Sequence, residues 1–460
     1  MAESSTGTPA RRFSPRASLA AIGLKLRSVD LFGPIRRTVR ISQKTVKHAP
    51  VQKLYDAFIT LLAGAHGLVE INTRLRSDPA LQAAFGRAAC AEQSVVQETL
   101  DACTAENVAQ LEQAVDAIYR QHSQGYRHDY AAAWQVLDAD MSGLPCGPKA
   151  AFATKGYFAK QRNRRGRQLG RVVASRYDEV VVDRLFAGTA QLSAALQPLI
   201  LAAERTLELD EAKRARTILR VDAGGGSLAD VNWALQRGYQ VHCKDYSTQR
   251  AATLAASVTT WGDDPRTPGR QVGWVTAPAT PYVRPVRRIA VRCQKKTGGW
   301  GVGVIISALA PRDVILLTQQ PLDRLNDPDA VLLAYVYFYD QRGGACETAI
   351  KGDKQGLGLT KRNKKRFAAQ QMLVLLGTLA HNALVWARRW LAPHCPRLAR
   401  YGILRLVRDV GQVSGFLLYH PAGQPLGVVL NHAAPLAAGL AAALTTLLAA
   451  EGVTVTLGET

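Results

Sequence analysis

The sequence predicts an α/β fold built on a mixed sheet, and three observations lead there. Trp134 to Asp140 reads as a buried strand that ends in acidic residues, and alternation puts Asp138 and Asp140 on the same side of it. Thr217 to Asp222 is a second apolar strand closing on an acid. Around these two, the pattern runs three strands, helix, strand, helix, strand.

Element by element, Met141-Ser142-Gly143 is expected to turn the chain out of the first strand, and Arg167 to Ser175 and Glu179 to Val182 are the next two, joined by Tyr177-Asp178. Gln191 to Leu209 is helical. Ala223-Gly224-Gly225-Gly226-Ser227 follows the second acidic strand and enters a helix from Leu228 to Arg237, after which Gln240 to Cys243 returns as a strand. This is the order of an RNase H-like core, in which the two acidic strands lie side by side.

The flanks divide by composition. Residues 1–50 are rich in Arg, Lys, Ser and Pro and are expected to be a basic flexible arm. Residues 51–128 carry helical periodicity and are read as a helical DNA-binding region, in which Ser94 caps a short helix offering Gln97 and Glu98 in the manner of a helix-turn-helix. The core occupies 129–254 and 330–392. Between its parts, 255–329 is rich in Val, Thr, Arg, Gly and Pro with alternating runs, a β-rich insertion. Residues 393–460 form a C-terminal region, where the Ala-rich run from Ala433 to Ala450 reads as a buried helix rather than a membrane span. Phe367 to Leu391 is a long apolar helix.

Charge narrows the partner. With 58 Lys+Arg against 36 Asp+Glu, the formal charge is +22, which points to a polyanion, above all nucleic acid. A basic protein of a membrane surface or ribosome is the bland alternative. The ribbon of Lys155, Lys160, Arg162, Arg164, Arg165, Arg167 and Arg171, beside Tyr157 and Phe158, favours phosphate contacts. The seven cysteines have no C-x2-C pair, so a reduced, cytoplasmic chain without zinc is expected. Arg11-Arg12-Phe13 before Ala17 to Leu24 is a faint twin-arginine pattern, ended by Lys25 and Arg27.

Tyr339 to Lys354 gathers an aromatic, an arginine, a carboxylate and lysines in one short span. If Ala345 to Lys351 is helical, Glu347 and Lys351 share a face, with Lys354 a further turn on if the helix survives Gly352. One carboxylate does not hold a catalytic divalent ion alone, which sets Asp140 and Asp222 as its partners. The glycine-rich turn after Asp222, with Asp245 about twenty residues on, also reads as a Rossmann entry and hence as an S-adenosylmethionine-dependent nucleic-acid methyltransferase. That reading needs its first strand here and βα units after it, whereas three strands precede the turn and a β-rich stretch follows.

With these residues assembled, the chain resembles the DDE transposases of bacterial insertion sequences, in the group with a β-rich insertion before the last acid. Their Y-x2-R-x3-E-x6-K signature is matched by Tyr339, Arg342, Glu347 and Lys354, except that four residues, Gly343 to Cys346, separate Arg342 from Glu347. The resemblance implies that Asp140, Asp222 and Glu347 bind two Mg2+ (or Mn2+) ions. It implies that Tyr339, Arg342 and Lys354 hold the DNA backbone, with Lys351 as a helper and Arg164 and Arg165 on the phosphates. It further implies metal-dependent cleavage and joining of double-stranded element ends and target DNA, by a homodimer without a membrane role, in the bacterial cytoplasm at the nucleoid. The extra residue also leaves open a catalytically decayed DNA-binding protein.

Overall fold

The computed structural model describes residues 9–44, 47–158, 161, 163–278 and 282–459. In chain order the elements used below are β1 (Ala10–Ser14), α1 (Ala17–Ser28), α2 (Pro50–Leu62), α3 (Gln93–Ala102), α4 (Ala105–His122), β2 (Gln135–Pro145), β3 (Arg165–Ala174), β4 (Glu179–Ala187), α5 (Leu192–Leu207), β5 (Thr217–Val221), α6 (Leu228–Gln236) and β6 (Gln240–Lys244). They continue with β7 (Arg270–Trp274), β8 (Arg287–Gln294), β9 (Trp300–Ser307), α7 (Pro328–Arg342), α8 (Thr348–Gly356), α9 (Phe367–Leu391), β10 (Gly415–Tyr419), β11 (Pro425–Asn431), α10 (Ala437–Leu448) and β12 (Thr454–Gly458).

The main sheet runs β4-β3-β2-β5-β6 and then β9-β8-β7, with two-residue strands at Thr154–Lys155 and Gly262–Asp263. β2, β3 and β4 are antiparallel, β2 and β5 are parallel, and so are β5 and β6. Three antiparallel strands followed by two parallel ones, with helices between, is the RNase H-like arrangement that the sequence order predicts. Parallel pairing places the ends of β2 and β5 together, Ala139 opposite Val221.

Two expectations about this sheet are corrected. β2 does not end at Asp140: it continues through Met141-Ser142-Gly143 to Pro145, because β3 is equally long and pairs with it as far as Gly166. The stretch 255–329 is no separate unit either, since β9 hydrogen-bonds to β6 and carries the core sheet outward through β8 and β7. Without it β6 would be an open edge.

At the other edge, β4 is closed by side chains. Asn382 on α9 accepts from Val180 N at 2.9 Å and donates to Val180 O at 2.8 Å, and Gln371 does the same for Leu185 N (2.7 Å) and Asp183 O (3.0 Å). The amides therefore replace a missing strand. α9 is long and apolar enough to cross a membrane, but here it is buried among α2, α3, α4, α10 and β4. α3 is part of the same packing. It starts at Gln93 with no side-chain cap, so Ser94 is not its cap, and Val96, Thr99 and Leu100 face the core.

Residues 10–41 are no flexible arm. β1 pairs with β10, some four hundred residues away, and α1 buries nine of its residues. The charges that suggest an arm fall on the strand and on the rim of the helix, while Ala17 to Leu26 supply an apolar core. The C-terminal helix lies in that same unit, packing with α1 on the sheet β1-β10-β11-β12. All seven cysteines are free.

Glu179 ties these layers together. Its fully buried carboxylate accepts from Tyr119 and Ser123 hydroxyls, the backbone of Gln124 and Gly125, Trp386 Nε1 at 2.9 Å and Arg389 at 2.5 Å. Glu179→Ala is expected to destabilise the fold by about 3–5 kcal/mol in urea unfolding, because it strands several buried donors and removes the partner of the partly buried Arg389. A loss under about 1 kcal/mol would contradict this role.

Candidate active site

The ends of β2 and β5 deliver two aspartates to one place. Asp140 sits on β2, and its carboxylate accepts from Met141 N at 2.8 Å. Asp222 follows β5, and its Oδ1 accepts from Gly224 N at 2.9 Å, capping a tight turn. Both line a cavity of about 490 Å³, together with Ser142, Tyr157, Phe158, Gly224 and Lys354. Asp138, two residues before Asp140, is excluded from this role: it is fully buried and bidentate with Arg220, at 2.6 and 2.8 Å.

The glycines after Asp222 answer to packing. A Cβ at Gly226 would stand 1.8 Å from Lys244 O, and one at Gly225 would meet Leu192 and Val221 at 3.2 Å. The turn is pressed between β6 and α5, which accounts for its composition without a cofactor.

The third acid arrives on a helix with a defect. α7 and α8 form one continuous helical run, interrupted only by a π-turn at Gly343–Glu347. A π-turn hydrogen-bonds from i to i+5, so it absorbs one additional residue while the flanking helix stays in phase. The fourth residue between Arg342 and Glu347 is therefore housed in the bulge. It brings Arg342 and Glu347, five apart, within 2.8 Å, a pairing that an unbroken α-helix disfavours. Thr348 Oγ1 donates to the Gly343 carbonyl at 2.9 Å. The helix passes through Gly352 and ends at Gly356.

Arg342 is the hub. It is 5 % exposed, with one terminal nitrogen on Glu347 and the other 3.1 Å from Asp140 Oδ2, a charge contact that lacks hydrogen-bond alignment. Burial opposes its charge, yet the carboxylates of Asp140 and Asp222 hold its pKa above the usual value. Burial pushes Asp140 up to about 6; Arg342 counters this, while Asp222 and Glu347 add repulsion. Tyr339 is half-buried beside His242, with ring centroids 6.2 Å apart, and burial raises its hydroxyl pKa with Arg342 opposing. Lys354 donates to Ser142 Oγ at 2.5 Å, and burial lowers its pKa.

The donor set is of the kind that Mg2+ or Mn2+ takes, oxygen ligands only, with Asp140 and Asp222 on one cavity. In this fold Glu347 is engaged by Arg342, and among the described residues no three acidic, thiol or imidazole groups are gathered as a ready cluster.

Sequence reasoning missed what anchors the helix. Arg171 pairs with Asp183 through two 2.7 Å hydrogen bonds and contacts Asp353 at 2.6 Å, and Asp353 also meets His381 Nδ1 at 2.8 Å, all of them buried. The network locks α8 to β3 and α9. A signal existed in Asp353 beside Lys354, but nothing local links it to an arginine 182 positions earlier. Arg171 is thus a buried anchor and not a phosphate ligand. Arg167 is buried as well, its guanidinium capping the carbonyls of Ala151, Lys364 and Lys365. Arg164, Arg165 and Lys155 are exposed as expected, and Lys160 and Arg162 lie outside the described residues. Lys351 is exposed and does not line the cavity. A second unforeseen feature is Arg292, whose guanidinium stands 4.1 Å from the Trp261 ring and 4.5 Å from the Trp300 ring.

Neither a protein-family model nor a curated protein matches the sequence. Among solved structures, the chain is similar to a piggyBac transposase in a synaptic complex with hairpin DNA, at 10% identity, over 87% of this chain and 81% of that one, with a TM-score of 0.44. The assignment of an RNase H-like fold rests on strand order and direction.

Two outcomes follow. Deleting Gly344 restores the three-residue spacing and a regular helix, so thermal unfolding is expected to show unchanged stability or a gain of up to about 1 kcal/mol. A loss above about 2 kcal/mol would contradict the bulge as a self-contained insertion. Burial opposes ionisation of Asp353, but His381 and Arg171 outweigh it and hold the pKa at about 2 against 3.8. Its folded pKa is depressed, so its contribution, roughly 2 kcal/mol, is present above about pH 4 and lost as pH falls toward 2. Asp353→Asn should remove that part of the acid limb of stability, and an unchanged limb would contradict it.

Proposed function

We propose that this chain is a DDE-type transposase, which binds the terminal inverted repeats of an insertion sequence as a homodimer and cleaves and joins double-stranded DNA in a metal-dependent reaction, in the bacterial cytoplasm at the nucleoid. One observation carries the reading: Asp140 from a strand end and Glu347 from a distant helix both contact the buried Arg342, and Asp140 lines a cavity together with Asp222 and Lys354. The fold and the +22 charge are consistent with it.

Asp140, Asp222 and Glu347 would hold two Mg2+ or Mn2+ ions. Bound there, the ions would activate a water or a DNA 3′-OH and neutralise charge at the leaving oxygen. The chain's own groups have separate tasks. Arg342 keeps the acids together against their repulsion, and Tyr339 packs beside it. Lys354, fixed by Ser142, offers a cation to a phosphate entering the cavity. Exposed Arg164, Arg165 and Lys351 contact the backbone further out, so that duplex affinity falls with salt.

The test is incubation of the purified protein with DNA carrying the ends of its own element. Nicked or joined products are expected with Mg2+ or Mn2+ and not with EDTA, reduced by about 100-fold or more in Asp140→Asn, Asp222→Asn and Glu347→Gln. Cleavage by all three variants at the wild-type rate would overturn the site, and the absence of any metal-dependent product from the wild type would overturn the function.

A further inference from the structure

We propose that exposed cations from two distant segments form one docking surface for the phosphate backbone of the duplex that enters the candidate active site. Lys149, Lys155 and Arg164 lie between β2 and β3, and Lys361, Lys365 and Arg366 belong to the run that leads into α9; all six are exposed. The fold stitches the two segments together. Ala151 N donates to Lys365 O at 2.9 Å, and the Phe152 and Phe367 rings meet edge to face with centroids 5.2 Å apart. The fully buried Arg167 donates to the carbonyls of Ala151 at 2.8 Å and of Lys364 and Lys365 at 3.0 Å. Thr154–Lys155 pairs with β3, which sets Lys155 beside Arg165.

What the surface lacks selects the occupant. From Met141 to Tyr177 and from Lys354 to Arg408 the chain contains no Asp or Glu. Among the described residues, none of the six side chains makes a hydrogen bond or an ion pair. Arg167 too is held by carbonyls and Gln370 rather than by an acid, and Lys364 is spent on Gln97. Six unneutralised charges on joined segments draw a polyanion. Their position says which one. Tyr157 and Phe158, between Lys155 and Arg164, and Thr360, next to Lys361, line the same cavity as Asp140, Asp222 and Lys354. A chain of phosphates with one member in that cavity continues onto both segments. A small anion is too short to do so, and a bilayer does not enter the cavity. That the polymer is duplex DNA rests on the transposase reading; the basic surface itself does not.

The experiment measures anisotropy of a fluorescein-labelled mixed-sequence duplex, in EDTA and over a series of salt concentrations, with the full-length protein. The triple variants Lys149→Ala/Lys155→Ala/Arg164→Ala and Lys361→Ala/Lys365→Ala/Arg366→Ala are each expected to bind about tenfold or more weakly than wild type. Each should also flatten the dependence of log affinity on log salt by about 2–3, one phosphate per side chain. Arg312→Ala/Arg397→Ala/Arg400→Ala removes the same charge from exposed positions elsewhere and should keep affinity within about twofold. Wild-type affinity in both surface variants would overturn the proposal, as would an equal loss in the variant elsewhere, which would make the effect one of net charge alone. Flotation with phosphatidylglycerol vesicles supplies another contrary result: vesicle binding lost in the surface variants, with duplex binding unchanged, would make the face a membrane contact. EDTA separates this test from the chemistry. Loss of duplex binding in the variants supports the surface even if the wild type never cleaves, and a cleaving wild type whose surface variants bind normally would overturn the surface alone.

Discussion

The buried Arg342 guanidinium contacts Asp140 on the sheet and Glu347 on the helix, and the geometry of the site depends on that bridge. A buried cation without such partners is costly, and so is a buried acid without a cation. Here each offsets the other, with Arg342 against Asp140 and Glu347 and the burial of Asp140 still raising its proton affinity. The position of Arg342 depends on helical phase. The π-turn keeps α7 and α8 in register across an additional residue, and α7 remains seated under β5 and β9 while α8 stays locked by Asp353 to Arg171 and His381.

This arrangement divides the labour among arginines that look alike in sequence. Arg171 and Arg220 are internal, each spent on aspartates that hold elements together. Arg342 sits at the boundary between core and cavity. Arg164 and Arg165 are at the surface, where a polyanion can reach them. The buried arginines are matched in number by buried acids, so the net excess of +22 stays on the partly and fully exposed residues.

The core was legible because its signals are local: apolar strands that close on acids, a glycine-rich turn, and an apolar helix leading to Glu347. The order of those elements suffices for an RNase H-like sheet. Long-range pairings left no comparable mark. β1 reads as part of an arm because its partner β10 is distant, and Arg167 and Arg171 read as surface residues because their acceptors come from other segments. The length of β2 was set by β3, which no property of Met141 to Gly143 reveals. At the site, Asp140, Asp222, Glu347 and Lys354 could be named from spacing, whereas the direct pairing of Glu347 with Arg342 follows from the π-turn and could not.

The most direct measurement of the central claim is anomalous diffraction from crystals of the protein soaked in Mn2+. The account predicts a manganese peak within ligand distance of the Asp140 and Asp222 carboxylates, lost in Asp140→Asn. A fully soaked crystal with no peak there, or with manganese bound only at other carboxylates, would contradict it.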